Sequence, residues 1–531
     1  MGFIKRTIQN MLKRPPSSGK HQDEGSVEEE PLKCSLQENI QRVKETLGNS
    51  GDIIIREIRI GQDERLKAAI LYTDGLSNKN AIHDFIMETL MLNVQGTDLV
   101  QKMSSASHPL ALLKESILAV GDIQDVFDFE TLLDWLLSGR TIFLLDGYAQ
   151  GFSIGMSGWE DRGVTEPSTQ TVIRGPKEGF SESLRTNTAL IRRKIKDPHL
   201  WLESRKIGRV TKTDVAIMYI KGIANDKVIE EVRIRLERID IDGILESGNI
   251  EELIQDETYT PFPTVFNSER PDVIAAGLLE GRIAILIDGT PFVLLVPALF
   301  TQFYQSAEDY YQRADIGTLL RLLRFLCFFL ALIAPSLYVA IVTFHQEMIP
   351  TPLLISLAAQ REGVPFPAFV EALIMEITFE ILREAGVRMP RAVGQAVSIV
   401  GALVIGQAAV EAGFIAPAMV IVVSITAIAS FVVPSFNMSI SIRILRFGLM
   451  GLAASFGLFG ITVGLIALVL HLSSLRSFGV PYMSPFAPLI VADQKDSIIR
   501  VPQWAMFTRP RLISQKNVVR EREGRERRKK P

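Results

Sequence analysis

Cysteine is nearly missing from this 531-residue chain: Cys34 and Cys327 stand far apart, so a disulfide framework, a zinc pair and a CxxC redox motif are all excluded. Histidine is scarce as well. The six (His21, His83, His108, His199, His345, His471) are scattered without metal-ligand spacing, and no Walker phosphate loop occurs, so neither a metal nor a cofactor is implied. A net charge of −3 near a pI of 6.2 argues against a nucleic-acid binder. The opening residues 1–14 lack the uninterrupted apolar run of roughly 7–15 residues that an export signal needs. The large region that follows is therefore expected to stay in the cytoplasm, and residues 1–33, with Pro-Pro-Ser-Ser-Gly and an acidic run, to be a disordered leader.

What the chain does have is apolar residues, 47% against 22% charged, at a mean hydropathy of +0.20. They are unevenly spread. Charges almost vanish over 331–360 and 392–475, while 1–315 alternates charge and apolarity like a soluble chain. The expected architecture is a duplicated α/β cytoplasmic domain followed by an all-α polytopic membrane domain.

The duplication is read from two pairs of segments. AAILYTDG at 68–75 corresponds to VAIMYIKG at 215–222, and LLSGRTIFLLDG at 136–147 to LLEGRIAILIDG at 278–289. Each is a buried-strand pattern closed by glycine, and Asn78 and Asn225 suit helix N-caps. The subdomains are placed at 34–172 and 205–299. Asp146 and Asp288 carry a catalytic alternative, but Asp-Gly more often marks a turn. Between them, the connector 173–204 opens with Arg174, Gly175, Pro176, Lys177, Glu178, Gly179 and Phe180 and continues into a basic helix from about Ser183 to Ile195. Phosphate binding and a solvated basic or subunit-contact face are its two readings.

Residues 300–324 form an aromatic, charged hinge suited to a membrane interface. The membrane domain, 325–475, holds apolar stretches at 325–344, 392–410, 414–433 and 447–470, each near the 20 residues that cross about 30 Å of hydrocarbon. A further stretch, 366–382, carries Glu371, Glu376 and Glu380. Such carboxylates face a water-filled path, pair with Arg383, or lie in an interfacial helix. Gln395, Ser398 and Gln407 among small residues fit either a pore lining or close helix packing. The basic tail within 476–531 belongs inside by the positive-inside rule, whereas five spans would place it outside and four would leave arginines outside.

The ordered set IRGPKEGFSESLRTNTALIRRKI, LLEGRIAILIDGTPFVLLVPALF, FYQSAEDYYQR, VPFPAFVEALIMEITFEILREAGVRMP and SPFAPLIVADQKDSIIRVP resembles the A subunit of GerA-type bacterial spore germinant receptors over nearly everything after Cys34. The resemblance implies a multi-pass protein of the spore inner membrane, in contact with lipid, working with a transporter-like B subunit and a lipoprotein C subunit. It also implies a homo-oligomeric ring that forms a cation channel in nutrient-triggered germination. Pro485, Phe486, Pro488, Asp493, Lys495, Asp496 and Arg500 match the family's post-membrane signature and, with 174–180, are assigned to assembly or signalling. The PFAP run is expected to end the last span sharply.

A gated channel subunit ranks first among function classes. A transporter is second, for want of a visible inverted repeat; a non-conducting signalling scaffold of the receptor complex is kept open, and a membrane-anchored enzyme is last. On the pore-lining reading of 392–410, Val397 and Val404 are the gate. Replacing either by alanine is expected to cause leaky dormancy in spores, and unchanged dormancy with a normal nutrient response in both would remove them from the gate.

Overall fold

The four apolar runs that end in glycine become inner strands of two antiparallel sheets, two in each. In a computed structural model of the chain, residues 30–60, 66–84, 122–158, 166–167, 169–389, 406–515 and 517–520 are described. The first sheet contains β1 (Ile53–Ile60), β2 (Leu66–Thr73), β3 (Ile123–Val126), β4 (Thr141–Leu145) and β5 (Gly151–Ile154), in the order β1-β2-β4-β5-β3. The second contains β6 (Leu200–Ile207), β7 (Thr213–Ile220), β8 (Phe266–Ser268), β9 (Ile283–Ile287) and β10 (Val293–Val296), in the order β6-β7-β9-β10-β8. The two orders correspond strand for strand. Alternation fixes the faces. Ala68, Ile70 and Tyr72 of β2 point to one core, while Ala69 and Leu71 point to the other, beneath α1 (Leu36–Thr46) and α3 (Phe129–Leu137). The short α2 (Lys79–Asp84) follows Asn78, whose side-chain oxygen accepts the Ala81 N–H at 3.2 Å.

Helix α4 (Leu184–Lys194), inside the segment read as a connector, packs on β7 and β9 of the second sheet, and β6 begins within the same segment. Three more helices complete this half: α5 (Asp226–Glu237), α6 (Ser247–Ile254) and α7 (Pro271–Leu279). Asn225 caps α5 by accepting the Lys227 N–H at 3.1 Å. The two sheets are tied by a buried ion pair. Arg192 of α4 donates to Asp52 through Nε at 2.7 Å and Nη2 at 3.0 Å, a bidentate geometry that offsets desolvation. Trp201 of β6 also lies on the turn at Gly48, where φ is +63° and a Cβ would collide with the indole.

The helical unit is built from Asp256–Thr264 and Ala298–Met506. Its helices are α8 (Ala314–Phe344), α9 (Thr351–Arg361), α10 (Ala368–Arg388), α11 (Pro417–Val432) and α12 (Phe436–Ser474). By length and composition, α8 and α12 can each cross a membrane. Helix α8 starts well before the 325–344 stretch, and so takes Arg321 and Arg324 into its first turns.

Helix α12 is not one rod. Gly457 has φ +60° and ψ −140°, a backbone state that a side chain resists. A Cβ at Gly464 would meet Leu449 at 2.6 Å, a contact impossible along a continuous helix at 1.5 Å per residue. The chain therefore reverses, and arms 436–456 and 458–474 run antiparallel. This corrects the single span expected at 447–470. The hydropathy was uniform across the turn, so composition hid it. The second arm ends at Ser474, ahead of Pro485, and a two-stranded turn, β11 (Arg476–Ser477) with β12 (Val480–Pro481), intervenes. The PFAP run is therefore not what ends the last helix.

At the reversal a Cβ on Gly457 would stand 2.7 Å from His345 Cε1. Gly457→Ala is expected to cost about 1–3 kcal/mol, read as a lower melting temperature of the detergent-solubilised full chain; an unchanged melting temperature would contradict the reversal.

Candidate ion-pathway carboxylates and the charged junction

Helix α10 carries the three glutamates, and each meets an arginine. Glu371, fully buried, accepts the Ala416 N–H at 3.1 Å, just before α11, and lies 3.3 Å from Arg361 at the end of α9. Glu376 is fully buried 3.1 Å from Arg446 of α12, itself fully buried. Glu380, one turn on, contacts Arg443 and lies 3.7 Å from Arg446. A carboxylate in an apolar surround is tolerable only with such a partner.

Arg383, one candidate partner on the same helix, turns elsewhere. Its guanidinium sits over Phe431 and Phe436, 5.7 and 5.6 Å from the ring centroids, an arrangement that satisfies a cation against aromatic faces. Gln407 is exposed and donates to Glu411 at 2.7 Å. Gln395, Ser398, Val397 and Val404 lie outside the described residues. Arg361, Arg443 and Arg446 were not singled out as partners from sequence. Their signal was available: Arg443 and Arg446 are three apart, on one helix face, in an otherwise uncharged run.

The post-membrane signature closes onto the start of α8. Asp309, fully buried in the helical turn Glu308–Tyr311, accepts from Arg324 Nη1 at 2.7 Å and from Arg321 Nε at 3.0 Å. Arg321 also donates through Nη1 to Asp496 at 2.8 Å, and the Tyr310 hydroxyl donates to Asp496 at 3.0 Å. The Arg500 N–H donates to Thr318 Oγ1 at 3.2 Å, and Lys495 is buried nearby in sequence. Gln494 Nε2 donates to the Pro485 carbonyl at 2.9 Å, fixing the Pro485–Pro488 turn with Phe486 half-buried. Asp493 lies in the same 3-10 segment, Val491–Asp496. Around this junction pack Phe300, Tyr304, Phe328 and Tyr482. Burial pushes the Tyr304 and Tyr482 phenols well above their ordinary range.

The 174–180 loop is clasped by its own half of the molecule. Fully buried Arg270 donates to the Pro176 carbonyl at 2.9 Å and to Asp272 at 2.8 Å, and the Phe180 N–H donates to the Glu269 carbonyl at 2.8 Å. Lys177 pairs with Glu166 at 3.1 Å, and Glu178 with Lys194 at 3.1 Å and Arg193 at 3.4 Å. Arg174 is exposed, and Gly175 and Gly179 flank the clasped stretch. Lys177, Arg193 and Lys194 are thus matched by carboxylates. Asp146 and Asp288 serve helix starts: they accept the Leu36 and Leu184 N–H groups at 3.0 and 2.9 Å. The string GFSIG at 151–155 has the spacing of a nucleophile elbow, but it lies within β5, with Ser153 buried and accepting from Arg140 Nε at 2.9 Å. An elbow needs an exposed serine at a strand-to-helix turn.

Removing Asp309 would leave two buried guanidinium groups short of a counter-charge. Asp309→Ala is expected to destabilise the full chain by about 3–5 kcal/mol, whereas Asp315→Ala, which breaks the exposed pair with Arg313, should cost at most about 1 kcal/mol. Thermal melts of both variants in detergent test the contrast, and equal shifts would refute it.

Comparison with known proteins places this arrangement in context. Spore germination protein KA of Bacillus subtilis (strain 168) is 52% identical over 499 residues, covering 94% of this chain and 90% of that protein. The uncharacterized membrane protein YfkQ of the same organism is 45% identical over 490 residues, covering 92% and 93%. The crystal structure of the N-terminal domain of the A subunit of the Bacillus megaterium spore germinant receptor GerK3 is 47% identical, with a TM-score of 0.41, covering 51% of this chain and 97% of that one. The family described as Bacillus/Clostridium GerA spore germination protein matches residues 41–512. This chain belongs to the GerA spore germination protein family.

Proposed function

We propose that this chain is the A subunit of a germinant receptor, embedded in the spore inner membrane, and that it oligomerises with copies of itself as a gated cation channel opened by partner subunits that sense nutrient. The observation that carries the reading is α10: three of its four glutamates, Glu371, Glu376 and Glu380, each lie against an arginine from another helix or its end, while Glu384 pairs with Arg388 of the same helix. Paired, they present no net negative charge to a cation. Exchange of those partners on gating would expose Glu376 and Glu380, which share one helix face, as the carboxylate lining that favours cations, with Glu371 on another face.

The membrane reading draws on the ends of the helices. Phe344, the end of α8, lies beside Gly457 at the tip of the α12 reversal, and Arg383 lies beside Phe431 and Phe436. If α8 starts inside, the tip is outside, and both Ser435 and Ser474 are inside. With 392–410 kept as a span, as its composition suggests, the crossings come to an even number. Arg383, Arg388, Arg443 and the basic tail then all fall on the inner side. The correspondence of strand order and capping aspartates further supports a duplicated cytoplasmic domain.

Reconstitution tests the channel. Full-length chain in liposomes, alone and with its B and C subunits, should pass cations. Glu376→Gln and Glu380→Gln are expected to lower the flux or weaken cation-over-anion selectivity; unaltered flux and selectivity in both would reject a carboxylate-lined path.

A further inference from the structure

The segment Asp256–Thr264 leaves the second α/β half after α6 and returns to it at β8, yet it packs as part of the helical unit. Its contacts fall on both arms of the α12 reversal. On the first arm, the Ser441 hydroxyl donates to the Pro261 carbonyl. On the second, Thr260 Oγ1 and His471 Nε2 are 2.8 Å apart, and the Phe262 and His471 rings lie 6.2 Å between centroids. Just beyond that arm, the Ser477 hydroxyl donates to the Thr264 carbonyl at 2.7 Å, and the Phe478 N–H donates to Asp256 at 2.7 Å. Phe262 and Ser477 are buried. Nine residues thus hold the paired ends of a helical hairpin through backbone carbonyls and short polar side chains.

The position of the grip matters. Ser441 precedes Arg443 by two residues and Arg446 by five, and these arginines hold Glu380 and Glu376. A rigid helical arm transmits a shift at Ser441 to both guanidinium groups, because they lie within the next turn and a half. The strap is fixed covalently at both ends to α/β elements, so a displacement of α6 or β8 must either move the arm or break the strap's contacts.

We propose that Asp256–Thr264 is a coupling strap through which the second α/β sheet sets whether Arg443 and Arg446 remain on the α10 glutamates, with Thr260, Ser441 and His471 as positioning residues. This rests on the channel reading for its output, but not for its geometry. In the docked state the arginines are paired and the carboxylates neutral as a group. Withdrawal of the strap turns or lifts the first arm, and the pairs part. Differential contact in two states is what a coupling element requires.

The test uses the full chain in its receptor, in spores. In a Cys34→Ser/Cys327→Ser background, Thr260→Cys with His471→Cys is bridged by a short, reducible bis-thiosulfonate, and linked peptides are identified by mass spectrometry. The bridge is expected to form within one chain and to slow the nutrient response by roughly tenfold or more, with recovery on reduction. Absence of the bridge at normal protein abundance, or a bridged chain that responds at the unbridged rate, overturns the strap. As a second arm, Ser441→Ala should shift the nutrient concentration for half response while Ser441→Thr, which keeps the hydroxyl, restores it; equal behaviour of the two would also overturn it. Cation release measured on the same spores separates the two ideas. A bridge that blocks germination, in a chain whose unbridged form germinates without releasing cations, keeps the strap and rejects the channel.

Discussion

Asp309 is the constraint on which the helical unit turns. A fully buried carboxylate accepts from Arg321 and Arg324, and Arg321 reaches on to Asp496. Within this network two arginines face two aspartates, so their charges offset one another. The start of the first long helix, the turn before it and the segment that follows the last helix are therefore fixed in one place by one network. Desolvating such groups is costly, and only their mutual, near-ideal hydrogen bonds make it tolerable. The aromatic shell of Phe300, Tyr304, Phe328 and Tyr482 keeps water away and strengthens those bonds.

The same rule recurs along the chain. Arg192 with Asp52 joins the two sheets, Arg270 with Asp272 clasps the 174–180 loop, and Arg446 with Glu376 joins α12 to α10. In each case arginine is the cation, and at Asp52 and Asp272 its planar fork makes paired hydrogen bonds that a lysine ammonium would not reproduce. The fully buried large side chains of this protein are led by Arg192, Arg270, Arg321 and Arg446. Its elements are joined by charge pairs where an all-apolar interface would have offered less orientation.

The legible parts of the sequence were those governed by local rules. Two glycine-terminated apolar runs in each half, the Asn78 and Asn225 caps and the Asp-Gly turns all follow from period and turn chemistry, and β2, β7, α2, α5 and the turns at 146–147 and 288–289 appear where those rules put them, whereas the bonds of Asp146 and Asp288 to distant helix starts did not follow from any local rule. Glu371, Glu376 and Glu380 stood out because carboxylates are expensive in an apolar helix. Arg443 and Arg446 stood out in the same way, as charges in an apolar run, but their pairing with Glu380 and Glu376 did not, because the partners lie far apart in the chain and no local window joins them. Gly457 was equally hidden. One glycine among many in a uniformly apolar run carries no signal until its backbone angles and its neighbours are known.

The reversal at Gly457 also bears on how the chain is made. Between Arg446 and His471 there is no charged residue, and the tip is formed by Phe456, Gly457, Leu458 and Phe459, with both phenylalanines exposed. A hairpin whose turn carries no charged side chain has only the backbone polar groups of the turn to carry through hydrocarbon, so its two arms can enter a bilayer together as one insertion unit. Synthesis would then deliver the final pair of helices with their ends side by side and the post-helix segment already on the side where Asp496 meets Arg321.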